Sequence, residues 1–156
     1  MKTAKTMVLA GLALLLYAAM AQAKSDFTGE WKLDVAKSDF GQMPAPQSAV
    51  QKIAHNEPNL KVASTQVSSR GEFTSERNYT TDGKECVNKM RNSDVKSALK
   101  WDGDTLVISS KFAFQDNEIT TTERWTLSGD GKVLTVKSHF SSSQGEGDST
   151  RVWNKQ

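Results

Sequence analysis

The chain has 156 residues, of which 37% are hydrophobic and 24% are charged, and its 20 basic and 18 acidic residues give a formal net charge of +2. Charges of both signs are interspersed, so the sequence lacks the basic patch that binds nucleic acid or an anionic membrane surface. This length is typical of one ordinary domain, and a single cysteine, Cys86, excludes an intramolecular disulfide.

The N-terminal residues have the pattern of a bacterial secretory signal peptide. Lys2 and Lys5 precede an apolar stretch from Met7 to Met20, and Ala21-Gln22-Ala23 then forms a small-x-small cleavage site. The stretch is shorter than the ~20 residues that cross a bilayer as a helix. We therefore expect cleavage after Ala23, a secreted or periplasmic location, and a mature domain of residues 24–156 that does not span a membrane.

The rest of the chain has the pattern of a β-meander. Polar and apolar residues alternate from Phe27 onward, and three Asp-Gly pairs are among the turn signals that favour tight hairpins. We predict an all-β, antiparallel up-and-down barrel of eight to ten strands, because closing the sheet removes its two exposed edges. The predicted strands lie near residues 27–34, 48–55, 60–68, 72–80, 85–91, 95–101, 104–115, 118–128, 133–142 and 149–154.

Two connections differ from the short hairpin turns. Residues Ala36–Gln47 contain Phe40, Met43, Pro44 and Pro46, and their prolines disfavour a helix. We expect this stretch to be an extended loop that closes one end of the barrel. Ser141–Gly147 is polar, and we expect a mobile loop there.

Strand alternation assigns one face of each strand to the barrel interior. A barrel that encloses a ligand tolerates inward polar groups better than a barrel filled by side chains. The inward faces mix bulky apolar residues with polar ones, so we predict a ligand cavity. The alternative is that a β-bulge inverts a strand and turns the polar residues to solvent. The inward polar residues are Ser64, Gln66, Ser75, Arg77, Ser110, Glu123 and Ser138.

The predicted lining of the cavity is aromatic and aliphatic. A guanidinium inside it can hold an anionic head group bidentately, and Arg77, on the same face as Tyr79, is the candidate. The alternative is an exposed Arg77 that pairs with Glu72 or Glu76. The residues predicted to line the cavity beside Arg77 are Phe73, Tyr79, Ile108, Phe112, Trp125 and Phe140.

The two ends of the mature chain carry a family resemblance. The first strand contains Gly29-Glu30-Trp31, which resembles the G-x-W of the calycin superfamily, the lipocalins and fatty-acid-binding proteins. The last strand, Thr150–Lys155, is similar to the closing T-R-x-Y-x-K of fatty-acid-binding proteins, with Trp153 in place of Tyr. The resemblance implies a lipocalin-like barrel, most similar to bacterial secreted members, with Gly29, Trp31 and Arg151 as its structural signature.

The resemblance gives Arg151 two competing roles. In lipocalins the matching Arg packs over the Trp of G-x-W, which would place Arg151 over Trp31 as a structural cation–π pair. In fatty-acid-binding proteins the matching Arg points inward and holds a carboxylate. Trp153 lacks the hydroxyl that assists there, so we favour the structural role and keep Arg151 as a candidate ligand-binding residue.

The sequence offers little for catalysis. His55 and His139 lie on different predicted strands without metal-ligand spacing, and Glu123 is a single carboxylate without a second one beside it. We therefore expect no enzyme activity, no metal and no cofactor.

The leading hypothesis is that the barrel binds a small hydrophobic ligand, such as a fatty acid or another anionic lipid, without nucleic acid as a partner. A second hypothesis is an inhibitor-like barrel that binds an envelope protein through its outer surface and the 36–47 loop. A third, an isomerase or hydrolase that uses Glu123 or His139, is the weakest. We expect a monomer, and Cys86 leaves a disulfide-linked dimer open.

Overall fold

The computed structural model describes residues 24–156; the predicted signal peptide, residues 1–23, lies outside the described residues. Residues 24–156 form ten antiparallel strands and contain no helix whose length and hydropathy would let it cross a membrane. The strands are β1 Gly29–Leu33, β2 Ser48–Asn56, β3 Asn59–Ser68, β4 Gly71–Thr80, β5 Glu85–Met90, β6 Ser93–Asp102, β7 Thr105–Phe114, β8 Asn117–Leu127, β9 Val133–Ser142 and β10 Gly145–Lys155.

The strands pair as one sheet in the order β4-β3-β2-β1-β10-β9-β8-β7-β6-β5, which is the predicted meander with β1 joined to β10. Successive strands are antiparallel neighbours because short turns connect them, as at Asp102-Gly103, where Gly103 has a φ of 63°. The prediction of an all-β up-and-down barrel is confirmed.

The barrel is nearly closed, with a seam between β4 and β5. Side chains bridge this seam: the Asn88 amide accepts a hydrogen bond from the Asn78 backbone N–H (2.8 Å) and donates one to the Asn78 carbonyl (3.0 Å). The Thr80 backbone N–H donates to the Cys86 sulfur at 3.1 Å. These contacts satisfy backbone groups that would otherwise be left open at the edge of β4.

One end of the barrel is filled with apolar side chains. Phe27 and Trp31 are fully buried there, and the indole N–H of Trp31 donates to the Phe27 carbonyl at 2.9 Å. The Phe27 ring packs edge-on against Trp125 and stacks on Trp101. Phe27 therefore fills the barrel end just before β1. The first strand begins at Gly29 and not at residue 27 as predicted.

The other end lies under residues 34–47, which connect β1 to β2 and are called the closing segment below. Asp39 and Thr150 exchange two backbone hydrogen bonds of 2.7 Å, so the segment continues along β10 after β1 has ended. The predicted loop at one barrel end is therefore present. The predicted mobile loop at 141–147 was wrong, because β9 and β10 extend to a turn of two residues, Ser143 and Gln144.

Candidate functional site

A cavity of about 160 Å³ lies inside the barrel, between the filled end and the closing segment. Strand alternation explains its lining, because every second residue of β2, β3, β4, β8, β9 and β10 faces inward. The side chains that line it are Leu33, Phe40, Met43, Pro44, Pro46, Ala49, Gln51, Val62, Ser64, Gln66, Phe73, Ser75, Arg77, Tyr79, Glu123, Trp125, Val136, Arg151 and Trp153.

Five of the eight predicted ligand-binding residues line this cavity: Phe73, Arg77, Tyr79, Trp125 and Arg151. The other three lie outside its lining. Ile108 is buried in the filled core, Phe112 is half-buried beside Ile119, and the Phe140 ring packs over Gly147. The cavity therefore does not extend to these three residues. Binding roles for all eight residues remain predictions.

Arg77 lies on the inner face of β4, where its Cα pairs with that of Val62 on β3. Its neighbour Glu76 points outward and forms an ion pair with Lys61 (2.9 Å). The alternative in which an exposed Arg77 pairs with Glu76 is therefore not what the structure shows.

The predicted pairing of Arg151 with Trp31 was wrong. The ammonium group of Lys155 lies over the Trp31 ring, 5.4 Å from its centroid, while Arg151 lines the cavity. The reason is register: the Cα of Trp31 pairs with that of Lys155, whereas Arg151 lies two rungs above the paired residues Leu33 and Trp153. A cationic side chain covers the G-x-W tryptophan, as the resemblance implies, but a different residue provides it.

The cavity carries an excess of positive charge. Within residues 24–156, neither Arg77 nor Arg151 has a carboxylate oxygen within the 4.0 Å that defines an ion pair. The lining also contains Glu123, one of whose oxygens accepts the indole N–H of Trp125 at 2.9 Å. Burial raises the pKa of the Tyr79 hydroxyl, although the charge of Arg77 acts in the opposite direction. Tyr79 is therefore a neutral donor at physiological pH.

Two further donors in the lining are buried and unpartnered. Gln51 and Trp153 are each 6% exposed, and neither Gln51 Nε2 nor Trp153 Nε1 has a hydrogen-bond partner among the described residues. Buried donors normally have partners, and an indole N–H can only donate. Gln51 is absent from the predicted lining, although the alternation Ala49, Gln51, Ile53 on β2 places it inside.

The remaining chemically active side chains lie away from the cavity. His55 and Glu57 belong to the filled end, and His139 is exposed beside Asp148 (2.8 Å). Within residues 24–156, no three side chains of the His, Cys, Asp or Glu type come together as a metal site.

No family model matches this chain, and no curated protein matches its sequence. Solved structures do match its fold. Zebrafish ileal bile acid-binding protein complexed with cholic acid has a TM-score of 0.59 at 18% identity, covering 83% of this chain and 98% of that chain. Secretory abundant heat soluble protein 4 from Ramazzottius varieornatus has a TM-score of 0.60 at 17% identity, covering 86% and 99%.

A third similar structure is the fatty acid binding protein of Schistosoma mansoni in complex with arachidonic acid. It has a TM-score of 0.50 at 13% identity and covers 83% of this chain and 96% of that chain. At such low identities the comparisons establish the architecture. This chain has the nearly closed ten-stranded barrel of the fatty-acid-binding proteins and other calycins.

Proposed function

We propose that this chain is a binding protein whose barrel interior takes a small amphipathic molecule with an anionic head group, without catalysis. The observation that carries the proposal is the pair Arg77 and Arg151, which line the cavity without an ion-pair partner among residues 24–156. Both arginines are partly buried, where a charge is screened less than at the open surface. A ligand carboxylate can pair with a guanidinium there through two hydrogen bonds.

The surrounding donors fit the same head group. Gln51 and Trp153 line the cavity with the two arginines, and each carries a buried N–H group without a partner among the described residues. A carboxylate accepts up to about four hydrogen bonds, and charge-assisted bonds to guanidinium are the strongest of these. Glu123 contributes one negative charge against two positive ones, so the lining keeps a net attraction for an anion.

The rest of the lining fits an apolar tail. Leu33, Val62, Trp125 and Val136 are buried around the cavity, and each methylene group that they cover gains hydrophobic free energy. A polar head held by a few donors beside apolar side chains is a usual arrangement in a small-molecule site.

The known structures support this type of ligand. Cholic acid and arachidonic acid, present in two barrels of the same fold, are both apolar molecules that end in a carboxylate. For catalysis the lining offers Glu123 as its single carboxylate, and both histidines lie elsewhere, so a general acid–base pair is not assembled there.

The test compares a carboxylate with its uncharged analogue. Hexanoate and hexadecanoate, with the matching alcohols, are titrated into wild-type protein, Arg77→Gln and Arg151→Gln, and binding is measured by calorimetry. Losing a hydrogen bond to a charged group costs about 1.5–3 kcal/mol. We therefore expect each variant to weaken carboxylate binding about 10- to 100-fold and to leave alcohol binding nearly unchanged.

Arg124→Gln is the matched control, because Arg124 lies on the outer face and pairs with Asp102 at 2.7 Å. It should bind the carboxylates like wild-type protein. Equal affinity of the two cavity variants and wild-type protein for the carboxylates would contradict the proposed head-group site.

We also propose that the protein is exported to the periplasm or secreted after cleavage behind Ala23. Support comes from the pattern of residues 1–23, in which lysines precede an apolar stretch and a small-x-small site. A lipid-binding barrel outside the cytoplasm would meet ligands of the cell envelope or the surroundings.

A further inference from the structure

The first part of the closing segment, residues 34–39, is fastened to β10. Asp34 N–H donates to the Val152 carbonyl (2.8 Å), and Asp39 and Thr150 exchange two backbone bonds of 2.7 Å. The Ser38 hydroxyl accepts the Val152 N–H at 3.0 Å. A backbone that is paired in this way behaves like a strand of the sheet and resists displacement.

The same segment is held at two more points. Gly41 has a φ of +57°, and a Cβ atom there would lie 2.3 Å from the carbonyl oxygen of Asp148, so its backbone rests directly on β10. At the far end Gln47 N–H donates to the Val67 carbonyl of β3 (2.9 Å). Between these anchors the prolines 44 and 46 restrict φ and stiffen the short remainder.

Four side chains between the anchors project into the cavity from above: Phe40, Met43, Pro44 and Pro46. They cover this end of the barrel from the β10 side, while Gln66 and Phe73, which also line the cavity, are exposed on β3 and β4. The cavity below them measures about 160 Å³, which is less than the roughly 300–1,000 Å³ of pockets that enclose drug-sized ligands.

At about 10–15 Å³ of accessible space for each water molecule, this volume holds on the order of ten waters. A methylene group occupies nearly the space of one water molecule. The cavity therefore has room for a head group and a few tail carbons, and a tail of sixteen carbons would have to displace the closing segment.

We propose that the closing segment is a fixed stop that limits the length of the ligand, so that the cavity selects carboxylates of short chain, roughly four to eight carbons. This inference rests on the proposed function, because it assumes that a carboxylate occupies the cavity. It adds the class of ligand and the residues that set its length, Phe40 and Met43 foremost.

The test is a chain-length series. Butanoate, hexanoate, octanoate, dodecanoate and hexadecanoate are titrated into wild-type protein. Intrinsic tryptophan fluorescence, to which Trp125 and Trp153 of the lining contribute, reports occupancy. Each methylene that becomes buried should tighten binding about fourfold. We expect this gain up to six to eight carbons and constant or weaker binding beyond.

The variants Met43→Ala and Phe40→Ala locate the stop. Removing either side chain should increase the chain length at which affinity stops rising by one or two carbons. Met43 is 41% exposed, so its truncation leaves the fold intact and serves if Phe40→Ala does not fold. Val87→Ala, at an apolar residue that is 55% exposed and outside the lining, is the matched control and should leave the series unchanged.

The outcomes separate this inference from the function on which it rests. If affinity rises steadily up to hexadecanoate in wild-type protein, the fixed stop is wrong and the head-group site stands. If affinity depends on chain length in Met43→Ala and Phe40→Ala as it does in wild-type protein, the proposed fixed stop is also wrong. Absence of binding for every chain length would overturn both the proposed function and this inference.

Discussion

The carboxylate of Glu57 contacts four residues at the filled end of the barrel. It accepts hydrogen bonds from the Thr81 hydroxyl (2.6 Å), the Trp101 indole (2.8 Å) and the His55 ring (3.0 Å), and Lys24 lies 3.4 Å away. Burial acts to raise the pKa of Glu57, but these hydrogen bonds and the charge of Lys24 outweigh it, so the pKa lies below its usual 4.5.

The lowered pKa of Glu57 predicts a pH-dependent contribution to stability. The contribution of the ionised Glu57 carboxylate to the free energy of unfolding is fully present above pH 4.5. It is lost as the pH falls through the lower pKa of the folded state. The variant Glu57→Gln lacks this carboxylate and therefore lacks its contribution to stability. We expect the variant to unfold about 1 kcal/mol more easily at pH 7, at the low end for charged hydrogen bonds because the side chain is partly exposed.

Guanidinium unfolding of both proteins from pH 7 to pH 3 checks this expectation, and the gap between them should shrink at the acidic end. The difference is the informative quantity, because Asp26, Asp34, Glu76, Asp82 and Asp130 also have lowered pKa values and destabilise both proteins in acid. Glu118→Gln, at an exposed ion pair with Lys111, should show almost no gap at any pH. A gap for Glu57→Gln that does not change with pH would argue against a charged Glu57 in the folded state.

At the residue scale, strand alternation predicted the cavity lining where strands are regular. Ser64, Gln66, Ser75, Arg77 and Glu123 all face the cavity, because the paired registers of β3, β4 and β8 keep parity along each strand. Alternation predicts which face of the sheet a residue lies on, but it does not predict the position of the residue along the barrel axis. The sequence therefore predicts cavity positions for Ile108 and Phe140, and it pairs Arg151 with Trp31 in place of Lys155.

Among the elements, the closing segment depends on Gly41. An alanine there would adopt an unfavourable φ and would also place its Cβ against the Asp148 carbonyl. Gly131 is the matched control, since its φ is +69° and a Cβ there would meet open space. We expect Gly131→Ala to cost about 1–2 kcal/mol from the backbone alone and Gly41→Ala about 1–3 kcal/mol more.

Urea unfolding of the two glycine variants measures this difference. Gly41→Ala should also change the chain-length series, because the closing segment must lift away from β10 to accept the methyl group. Equal losses of stability in the two variants would mean that the segment is free to shift, which would weaken its role as a fixed stop.

At the element scale, turn chemistry predicted most boundaries and the composition of loops misled once. The Asp-Gly turns fall between the expected strands, whereas the polar stretch 141–147 lies largely in β9 and β10. Polar side chains do not prevent pairing at the rim of a barrel, since the backbone hydrogen bonds of Ser142 and Gly145 form whatever the side chains are. The docking of residues 34–39 on β10 has no sequence signal, because only the three-dimensional register brings Asp39 to Thr150.

At the scale of the whole molecule, the unfavourable exposure of unpaired backbone groups at sheet edges was sufficient to predict that the sheet closes into a barrel. The prediction did not include the seam between β4 and β5, where the Asn88 amide and the Cys86 sulfur replace a ladder of backbone bonds. Their role could not be predicted, because a single Asn and a single Cys carry no pattern. The seam also changes the expectation for Cys86, whose partly buried sulfur is occupied within its own chain.

The last prediction concerns the protein as it leaves the cell that makes it. When the full chain is expressed in a bacterial host, we expect periplasmic protein that begins at Lys24 and is monomeric without a reducing agent. Cleavage follows from the small-x-small site, and a disulfide between two copies would require Cys86 to leave the seam and its contact with Thr80. Intact mass spectrometry of the periplasmic fraction, recorded under non-reducing conditions, measures both properties at once. A mass that retains residues 1–23 would overturn the proposed export, and a disulfide-linked dimer would show that the seam opens in the native protein.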